Sequence, residues 1–297
     1  MAEPRAIALR SIELGVPDVD ASRRFYEDAW GLTLVERADG ASYLRATGPE
    51  HHIVVLRRSE TPGVVRIDLA AADRSAVDAL YGAVRDAGGT PLGEPGGIEE
   101  PGEGYGFAFR DPEGREFRIS SEVRRHGDAS AIRDVPFKLS HVVLNSAETE
   151  RATKFFCTAL GFRLRDQTAK MDFIGCNADH HSIAITRTGN VSLNHVAFEL
   201  PSWDGLMYAT GRLRRHGFPI EWGVGRHGPG NNVFAYFIEP AELAVEYTAE
   251  VQQIDDATYR PGTPRDWERG TDNPDSWGLA APPSERFRRV THGPSKG

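Results

Sequence analysis

The sequence predicts an α+β fold: four tandem βαβββ modules forming two domains, each a curved mixed sheet around a central cavity. Three observations carry that prediction. The chain repeats itself at a spacing of about 130 residues. Short strand-like runs recur in fixed order around amphipathic helical stretches. Gly and Pro fall where helices must end and chains must turn.

The first module runs over roughly Leu9–Arg58. SIELGV reads as a strand and Asp20–Trp30 as a helix, with Phe25 and Tyr26 on its inner side. Gly31-Leu32 ends the helix and opens LTLVER; ASYLRA and HHIVVLRR follow as strands. The second module, Val64–Ser120, reads RIDLA, a helix at Arg74–Ala87, GGTPL and then GFAFRDPEGREFRIS, whose Asp111-Pro112 begins a turn. The third, Leu139–Arg187, has LSHVVLN, a helix at Glu148–Leu160 carrying Phe155 and Phe156, and the strands FRLRDQ, MDFIGC and HHSIAITR. The fourth, Ser192–Thr248, has NHVAF, a helix at Trp203–His216, GFPI and FAYFIEPAELAVEYT. A shift of 130 positions lays Phe25 on Phe155 and Gly31 on Gly161, and a shift of 129 lays His51-His52 on His180-His181.

The expected organisation is an N-terminal domain at 1–121, a charged linker at 122–135, a C-terminal domain at 136–252 and a tail at 253–297. The tail is polar and rich in Pro and Gly, and its last ten or so residues read as disordered. Trp267 and Trp277 suggest that its earlier part packs onto the body or onto a neighbouring subunit.

The 297 residues fit two domains, and 39% hydrophobic with 26% charged residues is ordinary for a soluble protein. A net charge of −8 argues against nucleic acid as a partner. No run approaches the ~18 apolar residues of a membrane span. The stretch MAEPRAIALRSIELG carries acids and has no apolar h-region, so no secretory signal is expected. Cys157 and Cys176 make neither a disulfide framework nor a zinc cluster, which points to the reducing cytoplasm.

The chemistry-bearing residues are His141 in LSHVVLN, His195 in VSLNHVAFEL and Glu246 in LAVEYTA, each inside a strand. Polar groups facing the interior of a barrel must be paired or bind a cation. Two histidines and a carboxylate from separate strands form the ligand set of a mononuclear non-haem iron(II) site with open positions. Laid on the N-terminal half, His141 falls on Ser11, His195 on Ile67 and Glu246 on Arg118, so the metal is expected in the C-terminal half alone. Around the triad, His181 can exchange a proton near neutral pH, as can His227 in the loop GRHGPGNN, and Tyr236 can donate to an oxygen. His180 competes with His181, because adjacent strand residues face opposite ways. Asn145 reads as a strand-end turn residue, and Arg187 and Arg226 as surface arginines.

The runs SHVVLN, NADHHSIAI, LNHVAFEL, GRHGPGNNVFAYFIEP and AVEYT resemble the type I extradiol ring-cleaving dioxygenases of the vicinal oxygen chelate (glyoxalase/bleomycin-resistance) superfamily. The resemblance covers the four-module body and leaves out the tail. It implies Fe(II), or Mn(II), held by His141, His195 and Glu246, a catechol-like substrate chelated through both hydroxyls, and ring cleavage next to the diol with both atoms of O2 inserted. His181 would be the acid/base, Tyr236 would hydrogen-bond a substrate oxygen, and His227 would orient substrate. It further implies aromatic compound catabolism, a homo-oligomer, and a tail that closes over the site. Two other readings stand beside it: another metal-dependent reaction on the same fold, such as an isomerase or lyase, and a metal-free small-molecule binding protein.

Overall fold

The computed structural model describes residues 5–268 and 275–292. The N-terminal half opens with β1 (Ala8–Val16), then α1 (Val19–Arg24), which runs directly into a π-helical turn (Phe25–Trp30). Strands β2 (Thr33–Ala38), β3 (Ala41–Arg45), β4 (Val54–Arg58) and β5 (Gly63–Ala70) follow, then α2 (Arg74–Asp86), β6 (Thr90–Pro91), β7 (Gly96–Gly97), β8 (Tyr105–Arg110) and β9 (Glu116–Ser121). The C-terminal half repeats this with β10 (Lys138–Ser146), α3 (Thr149–Leu160), β11 (Arg163–Gln167), β12 (Met171–Gly175), β13 (Ile183–Arg187), β14 (Ser192–Glu199), α4 (Trp203–Arg215), β15 (Trp222–Arg226), β16 (Val233–Ile238) and β17 (Ala244–Ala249).

Two mixed sheets result. Their orders, β2-β3-β4-β1-β5-β9-β8-β6 with β7 on β8, and β11-β12-β13-β10-β14-β17-β16-β15, match strand for strand. This is the expected α+β architecture. Within each module the first and last strands pair parallel (β1–β4, β5–β9, β10–β13, β14–β17), and the two modules of a sheet join at its centre through an antiparallel pair (β1–β5, β10–β14).

Helix boundaries follow capping chemistry. The side chains of Asp18, Asp73 and Ser202 accept from Ala21 N, Ala76 N and Gly205 N, satisfying amides that the first helical turn leaves free. Gly31 and Gly161 end the first and third modules' helices at φ of 95° and 68°, a conformation disfavoured by any side chain. The sequence reading of Asp20–Trp30 as one helix is modified by the π-helical turn at its end.

Each half's first helix covers the other half's sheet. Trp30 is fully buried, stacks on Tyr247 at 3.8 Å between ring centroids, and meets Phe198 and Phe237 edge-on. Reciprocally, Phe155 and Phe156 of α3 pack on Phe109 and Phe117. The two sheets therefore share one continuous apolar core, and each leaves its concave face free for polar groups.

In the tail, α5 (Glu285–His292) begins after Pro282-Pro283 with Ser284 as its cap, whose Oγ accepts from Phe287 N at 2.9 Å. The helix thus reaches into the last ten residues, which the sequence reading left disordered; residues 293–297 of that stretch lie outside the described residues. Trp267 lies within this chain against Gly262, while Trp277 is 41% exposed beneath the Arg226 guanidinium. No helix among the described residues is long and apolar enough to cross a membrane. Both cysteines are free, and burial pushes the Cys176 thiol up to about 11.

Candidate metal centre

His141 projects from β10, His195 from β14 and Glu246 from β17, three strands adjacent in the second sheet. All three side chains are buried on its concave side, and their donor atoms lie within 4.8 Å of one another. Both His141 Nε2 and His195 Nε2 stand 3.2 Å from Glu246 Oε2. Among the described residues this is the one group of three such side chains close enough to share an ion.

Hydrogen bonds decide what those atoms offer. His195 Nδ1 lies 2.8 Å from Asn194 Oδ1, which can only accept, so Nδ1 carries the proton and Nε2 a lone pair. That Nε2 is buried without a hydrogen-bond partner. Asn194 is itself oriented, because its Nδ2 donates to Thr291 O of α5 and to Asn145 Oδ1, both at 3.0 Å. Glu246 Oε1 accepts from Asn232 Nδ2 at 3.3 Å. Burial would raise the Glu246 pKa, but His141 and His195 outweigh it and hold the carboxyl well below the usual range. Burial lowers His195, against the opposing pull of Glu246. The His195 Nε2 lone pair aimed at the Glu246 carboxylate is repelled unless a cation lies between them, while His141 Nε2 lies within hydrogen-bond distance of the same oxygen. Ligand atoms ~2.1 Å from an ion and roughly perpendicular would sit about 3 Å apart, close to the spacing here. The residues therefore fit a divalent metal.

The neighbours sort as follows. The His181 ring lies 4.2 Å from that of His141, whereas His180 turns away, its Nε2 2.8 Å from Asp166 Oδ2. Of the two competing histidines, His181 is the one beside the triad. Burial, reinforced by the nearby histidines, lowers its pKa well below the usual value. His227 Nε2 is 2.9 Å from the Tyr236 hydroxyl, and the Tyr236 ring meets His195 edge-on at 5.1 Å. Burial brings His227 down to about 4 and, with Glu246, lifts Tyr236 well above its usual value. At neutral pH His227 is uncharged and Tyr236 keeps its proton.

Arg187 and Arg226 are committed elsewhere, to Asp172 at 2.8 Å and to Glu250. Asn145, read from sequence as a strand-end residue, is fully buried and ties Ser192 Oγ and Thr291 O together. Asn194 was missed in the sequence; its signal was an amide immediately before a strand histidine. Also missed was the apolar wall that α5 builds, where Phe287 packs on Tyr236 at 4.9 Å and on Trp222 at 6.1 Å.

The N-terminal counterpart of the triad differs from the sequence alignment at one position. Glu13 pairs with Arg66 as Val143 pairs with His195, and Ile12 pairs with Ile67 as Val142 pairs with Val196. His195 therefore corresponds to Arg66, not Ile67. A one-residue slip along a strand exchanges its faces: Ile67 points into the apolar core, Arg66 into the cavity. The correspondences of His141 with Ser11 and Glu246 with Arg118 agree with the register. Two cations thus occupy ligand positions, locked in a network where Arg66 Nε and Arg118 Nη2 donate to Asp68 at 2.9 and 2.5 Å and both arginines reach Glu100. Burial would raise Asp68, but Arg118 and Arg66 bring it down to about 2. The N-terminal cavity is filled by ion pairs where the C-terminal one has lone pairs.

Two family models match the chain, one in each half. The model of the Glyoxalase/Bleomycin resistance protein/Dioxygenase superfamily matches residues 138–247, and that of a glyoxalase-like domain matches residues 11–120. A Mn(II)-bound glyoxalase from Novosphingobium aromaticivorans is 38% identical, with a TM-score of 0.88, over 95% of this chain and 94% of that one. Metapyrocatechase 2 of Cupriavidus necator is 27% identical over 85% of this chain and 84% of its own length. An extradiol ring-cleaving dioxygenase from B. fuscum shares the fold, with a TM-score of 0.79 at 22% identity over 88% of this chain and 76% of that one. These relatives bear out the resemblance to extradiol dioxygenases and the expected class of enzyme, a ring-cleaving oxidoreductase. The chain belongs to the glyoxalase/bleomycin resistance protein/dioxygenase superfamily.

Proposed function

We propose that the chain is an Fe(II)-dependent extradiol dioxygenase that cleaves a catechol-type ring next to its diol, with Mn(II) as the alternative ion. The observation that supports this reading most strongly is the convergence, among the described residues, of three side chains able to ligate an ion in one half only, with His181, His227 and Tyr236 gathered around them. An ion held by His141, His195 and Glu246 would supply a Lewis acid with open positions for both catechol hydroxyls and for O2.

The rest of the work falls to this chain's own groups. His181, uncharged at neutral pH, takes a proton from a substrate hydroxyl and later returns it. Tyr236 stays protonated and donates to a substrate oxygen as charge builds there. His227, with its proton on Nε2, donates to the Tyr236 oxygen and so holds that hydroxyl in place with its own proton left for the substrate. Phe173, Trp222 and Phe287 keep water away from the ring. A cytoplasmic, homo-oligomeric enzyme of aromatic compound catabolism is the corresponding setting.

The test is a panel of catechols offered in air to protein loaded anaerobically with Fe(II). The expected result is O2 consumption with a coloured ring-opened product, lost in His181→Ala with metal retained. One observation favours a second reading: the relative at 38% identity is named a glyoxalase. Isomerisation of a metal-chelated substrate needs no oxidant, so turnover indifferent to O2 would select that reading instead.

A further inference from the structure

Behind His181 lies a buried chain whose hydrogen bonds run in one direction only. Asp166 and His180 are 1% and 0% exposed, so water cannot replace either partner. His180 Nε2 is 2.8 Å from Asp166 Oδ2, and His180 Nδ1 is 3.0 Å from His181 Nδ1. A carboxylate can only accept, so His180 places a proton on Nε2, and a ring carrying that one proton presents a lone pair at Nδ1. Two lone pairs cannot face each other at 3.0 Å, so His181 carries its proton on Nδ1. We propose that Asp166 and His180 are positioning residues that fix His181 in the Nδ1–H tautomer and leave its Nε2 lone pair free to take the proton of a substrate hydroxyl. This rests on the reading of His181 as the acid/base.

The N-terminal half supplies an internal contrast. The paired histidines recur there, with His51 Nδ1 and His52 Nδ1 3.1 Å apart. Their outer partner is an arginine: Arg124 Nη2 lies 3.2 Å from His51 Nε2 and can only donate. His51 must then carry its proton on Nδ1, and His52 on Nε2. That Nε2 is buried without a partner, in a half whose ligand positions hold two arginines. One scaffold holds the same pair in opposite polarity. The carboxylate end belongs to the half with the metal triad.

A second contact makes the effect of a mild substitution definite. Asp166 Oδ1 accepts from Gly262 N at 2.6 Å. In Asp166→Asn the amide oxygen must stay on that N–H, which turns the amide NH2 toward His180 Nε2. His180 then has to accept there and donate from Nδ1, and His181 is driven to the Nε2–H form. A neutral amide in place of the aspartate in a Ser-His-Asp triad forces the wrong histidine tautomer for the same reason.

The experiment is long-range 1H–15N correlation NMR on the full chain, 15N-labelled and loaded with Zn(II) as a diamagnetic ion. Wild-type protein should show protons on His180 Nε2 and His181 Nδ1, and the reverse arrangement, His51 Nδ1 and His52 Nε2, in the other half. Asp166→Asn should reverse the first pair alone, and kcat on a turned-over catechol should fall about 10- to 100-fold with KM little changed. A proton on His181 Nε2 in the wild type, or an unchanged His181 tautomer in folded Asp166→Asn, overturns the proposal. The wild-type spectrum decides the assignment even where the variant fails to fold. Absence of catechol turnover would remove the proposed activity while leaving the tautomers readable.

Discussion

Glu239 gives this fold a pH dependence that can be worked out in advance. It sits in the turn between β16 and β17 and is fully buried; its carboxyl accepts from Ala241 N at 2.7 Å, from Leu243 N at 3.2 Å and from Ser22 Oγ of α1 at 2.8 Å. Burial outweighs these three donors and pushes its pKa up from 4.5 to about 7. Below about pH 4.5 the group is protonated folded or unfolded and has no effect. Between there and pH 7 the folded state holds a proton that the unfolded state has released, so stability falls as pH rises. Above pH 7 both states are ionised and the full penalty remains, on the order of 3 kcal/mol. Glu239→Gln keeps the geometry: its oxygen serves the two amides and its NH2 donates to Ser22 Oγ. Urea unfolding of both proteins at intervals from pH 4.5 to 8 isolates the effect, since other titrations cancel in the difference. The variant should gain on the wild type steadily with pH and be the more stable by up to about 3 kcal/mol at pH 8. Parallel curves, or a variant less stable at pH 8, would refute the reasoning.

Three further outcomes follow from the packing and the site. Trp30→Ala empties the fully buried socket between the halves and should destabilise the protein by about 3–5 kcal/mol, read as a shift in urea midpoint. Arg66→Met leaves Asp68 and Glu100 short of a partner, which should destabilise by at least about 1 and at most ~3–5 kcal/mol while leaving metal binding untouched; calorimetry on both properties checks it. His181→Ala should retain the metal and lose about 10²- to 10⁴-fold in kcat, the range of a general acid/base, in steady-state O2 uptake.

The fold was legible because it is written more than once. A repeat lets weak strand signals in one module be checked against another, and Gly31 and Gly161 mark the same helix end in both halves. The triad was legible because polar residues inside apolar strands stand out. Registration to a single residue was not: in RIDLA the apolar Ile67 has a polar residue on both sides, so period-two patterning permits a slip when it is laid on NHVAF. Irregularities at Leu9/Ser11 and Leu139/His141, where β1 and β10 shift register, settle the match between Arg66 and His195. The direction of the His180–His181 pair was equally hidden, since it depends on whether Asp166 or Arg124 lies behind it, contacts 14 and 73 residues away in sequence. Helix α5 escaped notice because its apolar face is reduced to Phe287 and Val290, although Pro-Pro-Ser before it is a start signal.

The measurement that bears most directly on the central claim is Mn(II) or Fe(II) binding by anaerobic calorimetry on metal-free full chain, wild type beside His195→Ala. One ion per chain is expected in the wild type and none retained by the variant, with both proteins folded by circular dichroism. Wild-type protein that binds no divalent ion, or His195→Ala that binds one with undiminished affinity, would contradict it.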